Sequence, residues 1–290
     1  MAVTLRPHEK LRTPPPLKKP ARFKAPWPLN LYQTAIGKKW VMGLTGLGLI
    51  GFVVAHMIGN LHLYEGPVEV HEYAEALRDL GGHIIPRTYL LWLLRLGLLG
   101  MFVLHIHSAV SLSRMSMASD SRYQSGRDYA AANFASRTMR WTGPIIALFL
   151  LYHLADLTWG WFDDDWVRGD PYGNADRSLS RIPVAIFYIV ANLALAFHLF
   201  HGIFSMFTSI GLNSPKFNPL RRPIAAGIAG LILLGNLSFP IMVQAGVIEE
   251  EKPLAVLLEE HHRSQQSSPS EAALRLRGRR YERSQSWRTK

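Results

Sequence analysis

The chain contains no cysteine. That excludes disulfides, covalent haem attachment through C-x-x-C-H and thiolate-held iron–sulfur clusters within it. Acid is scarce beside base: 21 Asp and Glu stand against 32 Lys and Arg, a formal net charge of +11. The basic residues flank long apolar runs, so they are assigned to membrane faces and no nucleic-acid partner is expected. Residues 1–36 are polar, proline-rich and basic, and no cleaved secretory signal is expected there. Mean hydropathy is only +0.06. That average hides the pattern, because charge collects at the ends and in short segments between apolar runs.

A bilayer core about 30 Å thick needs roughly 20 apolar residues per spanning helix. Five segments qualify: Trp40–Leu63, Tyr89–Leu112, Met139–Trp159, Ile182–Leu212 and Pro223–Val247. The fourth is longer than needed and is expected to tilt or protrude. Pro183 and Pro223 stand near helix starts, where the missing N–H costs little. Pro144 and Pro240 fall inside helices and are placed to kink them.

Lys and Arg number nine up to Lys39, five over Ser113–Arg140 and three over Leu212–Arg222. The alternate segments, Leu63–Thr88 and Gly160–Arg181, hold two and three, with five acids each. The N-terminus is therefore expected in the cytoplasm and the C-terminus outside. The tail from Glu249 carries nine basic residues, but its basic cluster starts beyond Leu274, too far from a helix end to weigh much. It reads as largely disordered, with a short helix near Glu271–Arg280. The domain division is a cytoplasmic segment 1–36, a five-helix transmembrane domain 37–248 and a polar tail 249–290. The fold class is all-α, an integral membrane five-helix bundle.

Seven of the twelve histidines lie in or at the ends of apolar helices: His56, His62, His105, His107, His153, His198 and His201. One buried histidine is usually a packing residue. Ionisable residues on four separate spans are costly to keep and point to function. At about 1.5 Å per residue, His56 lies roughly 24–27 Å and His153 roughly 20–23 Å from the cytoplasmic side. His105 and His198 each lie roughly 24 Å along helices that start outside. The four therefore form two couples at two depths. Two imidazoles facing across a bundle suit the axial positions of a non-covalently held haem iron, with no open site, for electron transfer. Structural zinc is less suited, since it takes four ligands at one depth.

His107, two positions past His105, faces about 200° away. His201 shares a face with His198 and stays a rival. His62 is placed to bond a haem propionate or a quinone. Gly43, Gly46, Gly48, Gly51, Gly97, Gly100 and Gly202 would let a flat ring approach, and equally allow ordinary small-residue packing. Arg95 lies mid-helix, about 15 Å outward of His105. It needs a counter-charge, either a propionate of the outer haem or Asp156. Lys39, Arg114 and Arg140 could meet inner propionates.

These residues form an ordered set. It comprises Thr45-Gly46 and Ala55-His56-Met57-Ile58-Gly59-Asn60, Leu104-His105-Ile106, and Arg140-Trp141-Thr142-Gly143 with His153-Leu154-Ala155-Asp156. It closes with His198-Leu199-Phe200-His201-Gly202-Ile203-Phe204-Ser205 and Thr208-Ser209-Ile210-Gly211. Over about 30–250 the chain resembles the single-chain, five-helix, di-haem cytochrome b membrane anchor of succinate dehydrogenase and fumarate reductase. The resemblance implies two haems b, a distal one on His56 and His153 and a proximal one on His105 and His198. His198 is chosen over His201 because the family's ligand precedes a glycine by four residues. It also implies docking of a flavoprotein subunit and an iron–sulfur subunit on the cytoplasmic face of a bacterial inner membrane. Electrons would pass to a quinone, expected to be menaquinone, in the respiratory chain and tricarboxylic acid cycle. The chain itself would hold no dicarboxylate site. Some family members use a carboxylate near the outer haem for quinone protons, and Glu65, Glu69, Glu72 and Glu75, with His71, cluster after helix 1. The rivals are a di-haem cytochrome b of another respiratory enzyme and a haem-free transporter or scaffold.

Overall fold

The computed structural model describes residues 26–117, 130–209, 211–212 and 214–266. Among them it is all-α: α1 Leu29–Tyr32, α2 Ala35–Asn60, α3 Pro67–Arg78, α4 Tyr89–Met117, α5 Ala130–His153, α6 Pro171–Ser180, α7 Ile182–Ser209, α8 Arg221–Gln244 and α9 Leu254–Gln266.

Among the described residues five helices are long and apolar enough to cross a membrane: Ala35–Tyr64, Tyr89–Met117, Thr138–Thr158, Ile182–Ser209 and Asn218–Gln244. They fall where the apolar runs place them, with shifted ends. Span 1 starts five residues before Trp40 and span 2 runs five past Leu112. Lys38, Lys39 and Arg114 continue these helices, because long basic side chains favour helix and carry their charge away from the apolar stem. Span 4 stops at Ser209 rather than Leu212. Both Pro144 and Pro240 are accommodated inside continuous helices.

The first span has a defined start. Thr34 caps α2 by accepting from Gly37 N–H at 2.9 Å. At Gly37 an added Cβ would strike the Leu31 carbonyl, so glycine lets α1 fold back on α2.

Spans 1 and 2, spans 3 and 4, and spans 4 and 5 pack most closely. Side chains seat on glycines between spans: Met101 of span 2 against Gly48 of span 1, and Met57 of span 1 against Gly235 of span 5. One core joins Leu199, Ile203, Ala225, Ala229 and Ile232. A second, toward the other end, joins Met57, Leu63, Tyr172, Leu179, Tyr188, Phe239 and Val243. Span 2 buries only Ser108. Its row of exposed Leu, Val and Trp is what lipid or a partner helix would cover.

The end beyond Asn60 carries a cap built from α3, α6 and α9. Gly66 (φ 122°) turns the chain into α3, and Asp170 caps α6 by accepting from Gly173 N–H at 3.0 Å. The edge of the Tyr73 ring rests on Gly59. Arg177 ties the cap together, donating to Asn174 at 2.6 Å, Glu250 at 2.7 Å and Asp163 at 3.3 Å. Burial, with Asp170 nearby, raises the Glu250 carboxyl above its usual range despite Arg177.

One sequence expectation is corrected here. The start of the polar tail is ordered as α9, which packs on α3 with His261 Nε2 3.5 Å from Glu72. Its half-buried Leu254, Leu257 and Leu258 supply an apolar stripe that the high overall polarity masked. Of the glutamates that cluster after helix 1, Glu69, Glu72 and Glu75 lie on α3 and Glu65 stands just before it. The short helix expected near Glu271–Arg280 lies outside the described residues, as do residues 1–25.

Candidate cofactor-binding site

The structure brings four of the span histidines into two couples. His56 on span 1 meets His153 on span 3, with ring centroids 5.9 Å apart and planes at 78°. His105 on span 2 meets His198 on span 4, at 6.3 Å and 62°. Neither helix pairing is among the closely packed ones, so the imidazoles reach toward each other across the bundle interior.

The separations have a chemical meaning. A metal–imidazole bond of about 2.0 Å plus roughly half a ring on each side puts bridged centroids about 6 Å apart. Both couples match that spacing. Among the described residues no group of three or more His, Asp or Glu could hold an ion, so a four-ligand zinc site is not formed.

Three rings are oriented by partners on Nδ1. His105 Nδ1 lies 3.2 Å from the Met42 carbonyl and 3.4 Å from Thr45 Oγ1. A carbonyl only accepts, so His105 carries its proton on Nδ1 and turns a bare Nε2 elsewhere. His198 Nδ1 lies 3.2 Å from Thr142 Oγ1. Thr142 gives its own proton to the Thr138 carbonyl at 2.9 Å, so it accepts from His198. His153 Nδ1 lies 3.1 Å from the Tyr188 hydroxyl. This is the arrangement that holds metal-ligating histidines in one tautomer. His56 stacks on Phe52, centroids 5.5 Å apart.

Space for a flat ring is tested by the glycines. A Cβ at Gly46 would lie 3.3 Å from His105 Cε1, and one at Gly143 4.0 Å from His198 Cε1. At Gly51, Gly97 and Gly100 it would meet nothing within 4 Å. The donor set and these bare helix faces fit a bis-histidine macrocycle.

The remaining histidines go elsewhere. His107 faces away from His105, as the helical arithmetic expects, and hydrogen-bonds the Tyr32 hydroxyl at 2.5 Å. His201 is buried against Phe200, centroids 5.1 Å apart, and forms neither couple. His62 pairs with Glu65 at 2.6 Å and lies over Tyr73.

Arg95 sits 5.1 Å over the Trp92 ring, and no acidic side chain among the described residues pairs with it. Asp156 is not its partner. That carboxylate is fully buried, accepts from Arg181 Nη2 at 2.6 Å and from the Ser178 hydroxyl, and so is already satisfied. The correction has a local cause: after His153 the helix widens, with Trp159 N–H reaching back to the Leu154 carbonyl, and this turns Asp156 toward the cap.

Sequence reasoning did not find Tyr188, Ser178 or Arg181. Tyr188 lies 35 positions from His153 on another helix, and no spacing rule joins them. Compared with family models, with curated proteins and with solved structures, the chain matches none.

Proposed function

We propose that this chain is the di-haem b membrane anchor and electron-transfer subunit of a succinate:quinone oxidoreductase. The observation that supports this reading is the pair of imidazole couples, each drawn from two different spans and each spaced for one bridging iron. A haem b held at each couple would supply a one-electron carrier.

The chain's own residues do the rest. His56 with His153, and His105 with His198, would each hold one haem iron. Met42, Thr45, Thr142 and Tyr188 hold those rings in place. Gly46, Gly51, Gly97, Gly100 and Gly143 keep the helix faces bare beside the macrocycles. Arg95, left without an acid, neutralises a propionate of the outer group. His201 packs rather than ligates.

In this reading the N-terminal side, rich in Lys and Arg, faces the cytoplasm of a bacterial inner membrane and receives a flavoprotein and an iron–sulfur subunit. The cysteine-free chain cannot hold the clusters itself. The cap side faces out, and a quinone, menaquinone on this proposal, accepts the electrons there. Succinate chemistry stays with the partner.

The test is purification of the intact complex, with a reduced-minus-oxidised spectrum and pyridine-haemochrome quantification. Haem b near two per chain, with a flavin-bearing, succinate-oxidising partner, is expected. Absence of a Soret band would overturn the reading. A molybdenum or nickel partner would move the chain to another respiratory complex.

A further inference from the structure

The connection between spans 4 and 5 is short and basic. Over residues 212–222 it carries Lys216, Arg221 and Arg222 and no acid. The two arginines open span 5, and both guanidiniums gather at one ring of span 4. Arg221 stands 5.5 Å and Arg222 5.6 Å from the centre of Phe204. Arg221 also donates to the Thr208 hydroxyl. Arg222 is exposed, and no acidic side chain among the described residues pairs with it.

An apolar groove begins one turn below. At about 3.6 residues per turn, Ala226 and Gly230 follow Arg222 along one face of span 5, and Phe200 and Phe197 precede Phe204 along one face of span 4. The two rows line a groove of about 260 Å³, which Ala229 and Leu233 complete. It runs roughly 10 Å along the spans. Small side chains make its floor: Ala229 is buried, and a Cβ at Gly230 would meet nothing within 4 Å. Phe197, 53% exposed, forms a rim on the outside of the bundle. No residue of either histidine couple lines it.

Flanking positive charge accounts for basic residues at this end of the spans. It does not account for two guanidiniums gathered at the head of an apolar groove. A guanidinium takes a phosphate through parallel N–H···O bonds, and basic pockets between spans suit anionic headgroups. A zwitterionic choline headgroup would bring its own positive charge to the arginines.

We propose that spans 4 and 5 form a site for one anionic phospholipid, with its phosphate on Arg221 and Arg222 and one acyl chain in the groove below. The site lies in the leaflet at the end where span 1 begins. It needs the chain to span a membrane and does not need haem.

The test offers the purified complex, stripped of lipid in mild detergent, equal amounts of phosphatidylglycerol and phosphatidylcholine with the same acyl chains. Native mass spectrometry counts what stays bound. Phosphatidylglycerol is expected near one per chain and in preference to phosphatidylcholine. Arg222→Gln should weaken its retention about fivefold, and Arg221→Gln with Arg222→Gln roughly 25-fold. Phosphatidylcholine should be unaffected by either. Gly230→Leu fills the groove and should weaken both lipids alike. Leu234→Ala is the control, because Leu234 is 71% exposed on the same span outside the groove, and it should change neither.

Equal retention of the two lipids by wild type would overturn the proposal. So would undiminished phosphatidylglycerol binding in the double arginine variant. A further arm adds a long-chain isoprenoid quinone in equal amount. Displacement of phosphatidylglycerol there would assign the groove to a quinone tail and overturn the proposal too. If Gly230→Leu fails to assemble, the exposed Arg222 still decides through Arg222→Gln. Haem content is read on the same samples. Two haems without lipid preference would sink only this inference, and lipid preference without haem would sink only the functional reading.

Discussion

His105 and His198 stand 6.3 Å apart, centre to centre, though their helices are not close-packed neighbours. Nothing in ordinary helix packing requires two polar rings to meet there. Each is held by a hydroxyl that has already given its proton to its own helix backbone.

His105→Ala and His198→Ala should each remove the same haem, and His56→Ala and His153→Ala the other. Pyridine-haemochrome content should fall from near two to near one per chain, with matching spectra within each couple. Retention of both haems in His198→Ala would transfer that role to His201.

Gly46→Val should abolish the same haem as His105→Ala without touching the other. Even the first added carbon would lie 3.3 Å from His105 Cε1, and the valine branches reach further. Gly227→Ala is the control. It meets nothing within 4 Å and should be neutral or up to about 1 kcal/mol stabilising.

Arg181→Ala should destabilise the fold by roughly 3 kcal/mol, because it leaves the buried Asp156 charge without its main partner. The value is set at the low end because Arg181 itself reaches water. Thermal unfolding in detergent, read by loss of haem absorbance or intrinsic fluorescence, checks it. Adding Asp156→Asn should recover part of the loss.

Acid should loosen α3. Burial favours the neutral Glu75 carboxyl, but the Arg78 and Arg87 guanidiniums outweigh it and hold its pKa below the usual glutamate value. A depressed carboxyl stabilises the fold above its unfolded-state pKa, and that stability drains away as pH falls through the folded value. The melting temperature of wild type should therefore drop more steeply below about pH 4.5 than that of Glu75→Gln. Parallel curves would show that this cluster adds nothing.

The five spans were legible because about 20 apolar residues in a row leave few alternatives, and the four histidines because depth along a helix is simple arithmetic. Their partners were not. Tyr188 faces His153 from a helix 35 residues later, and Asp156 turns away from Arg95 because of a widened turn that no local pattern announced. The α9 helix was hidden by composition. Its short apolar stripe sits among glutamates, histidines and glutamines, and it takes the α3 surface to order it.

Tyr73 lays its ring edge on Gly59, three residues beyond His56. With no side chain between ring and backbone, the contact has no slack to absorb a push. A load placed on α3 from outside, by α9 or by another molecule, is handed straight to the turn that aims the His56 imidazole.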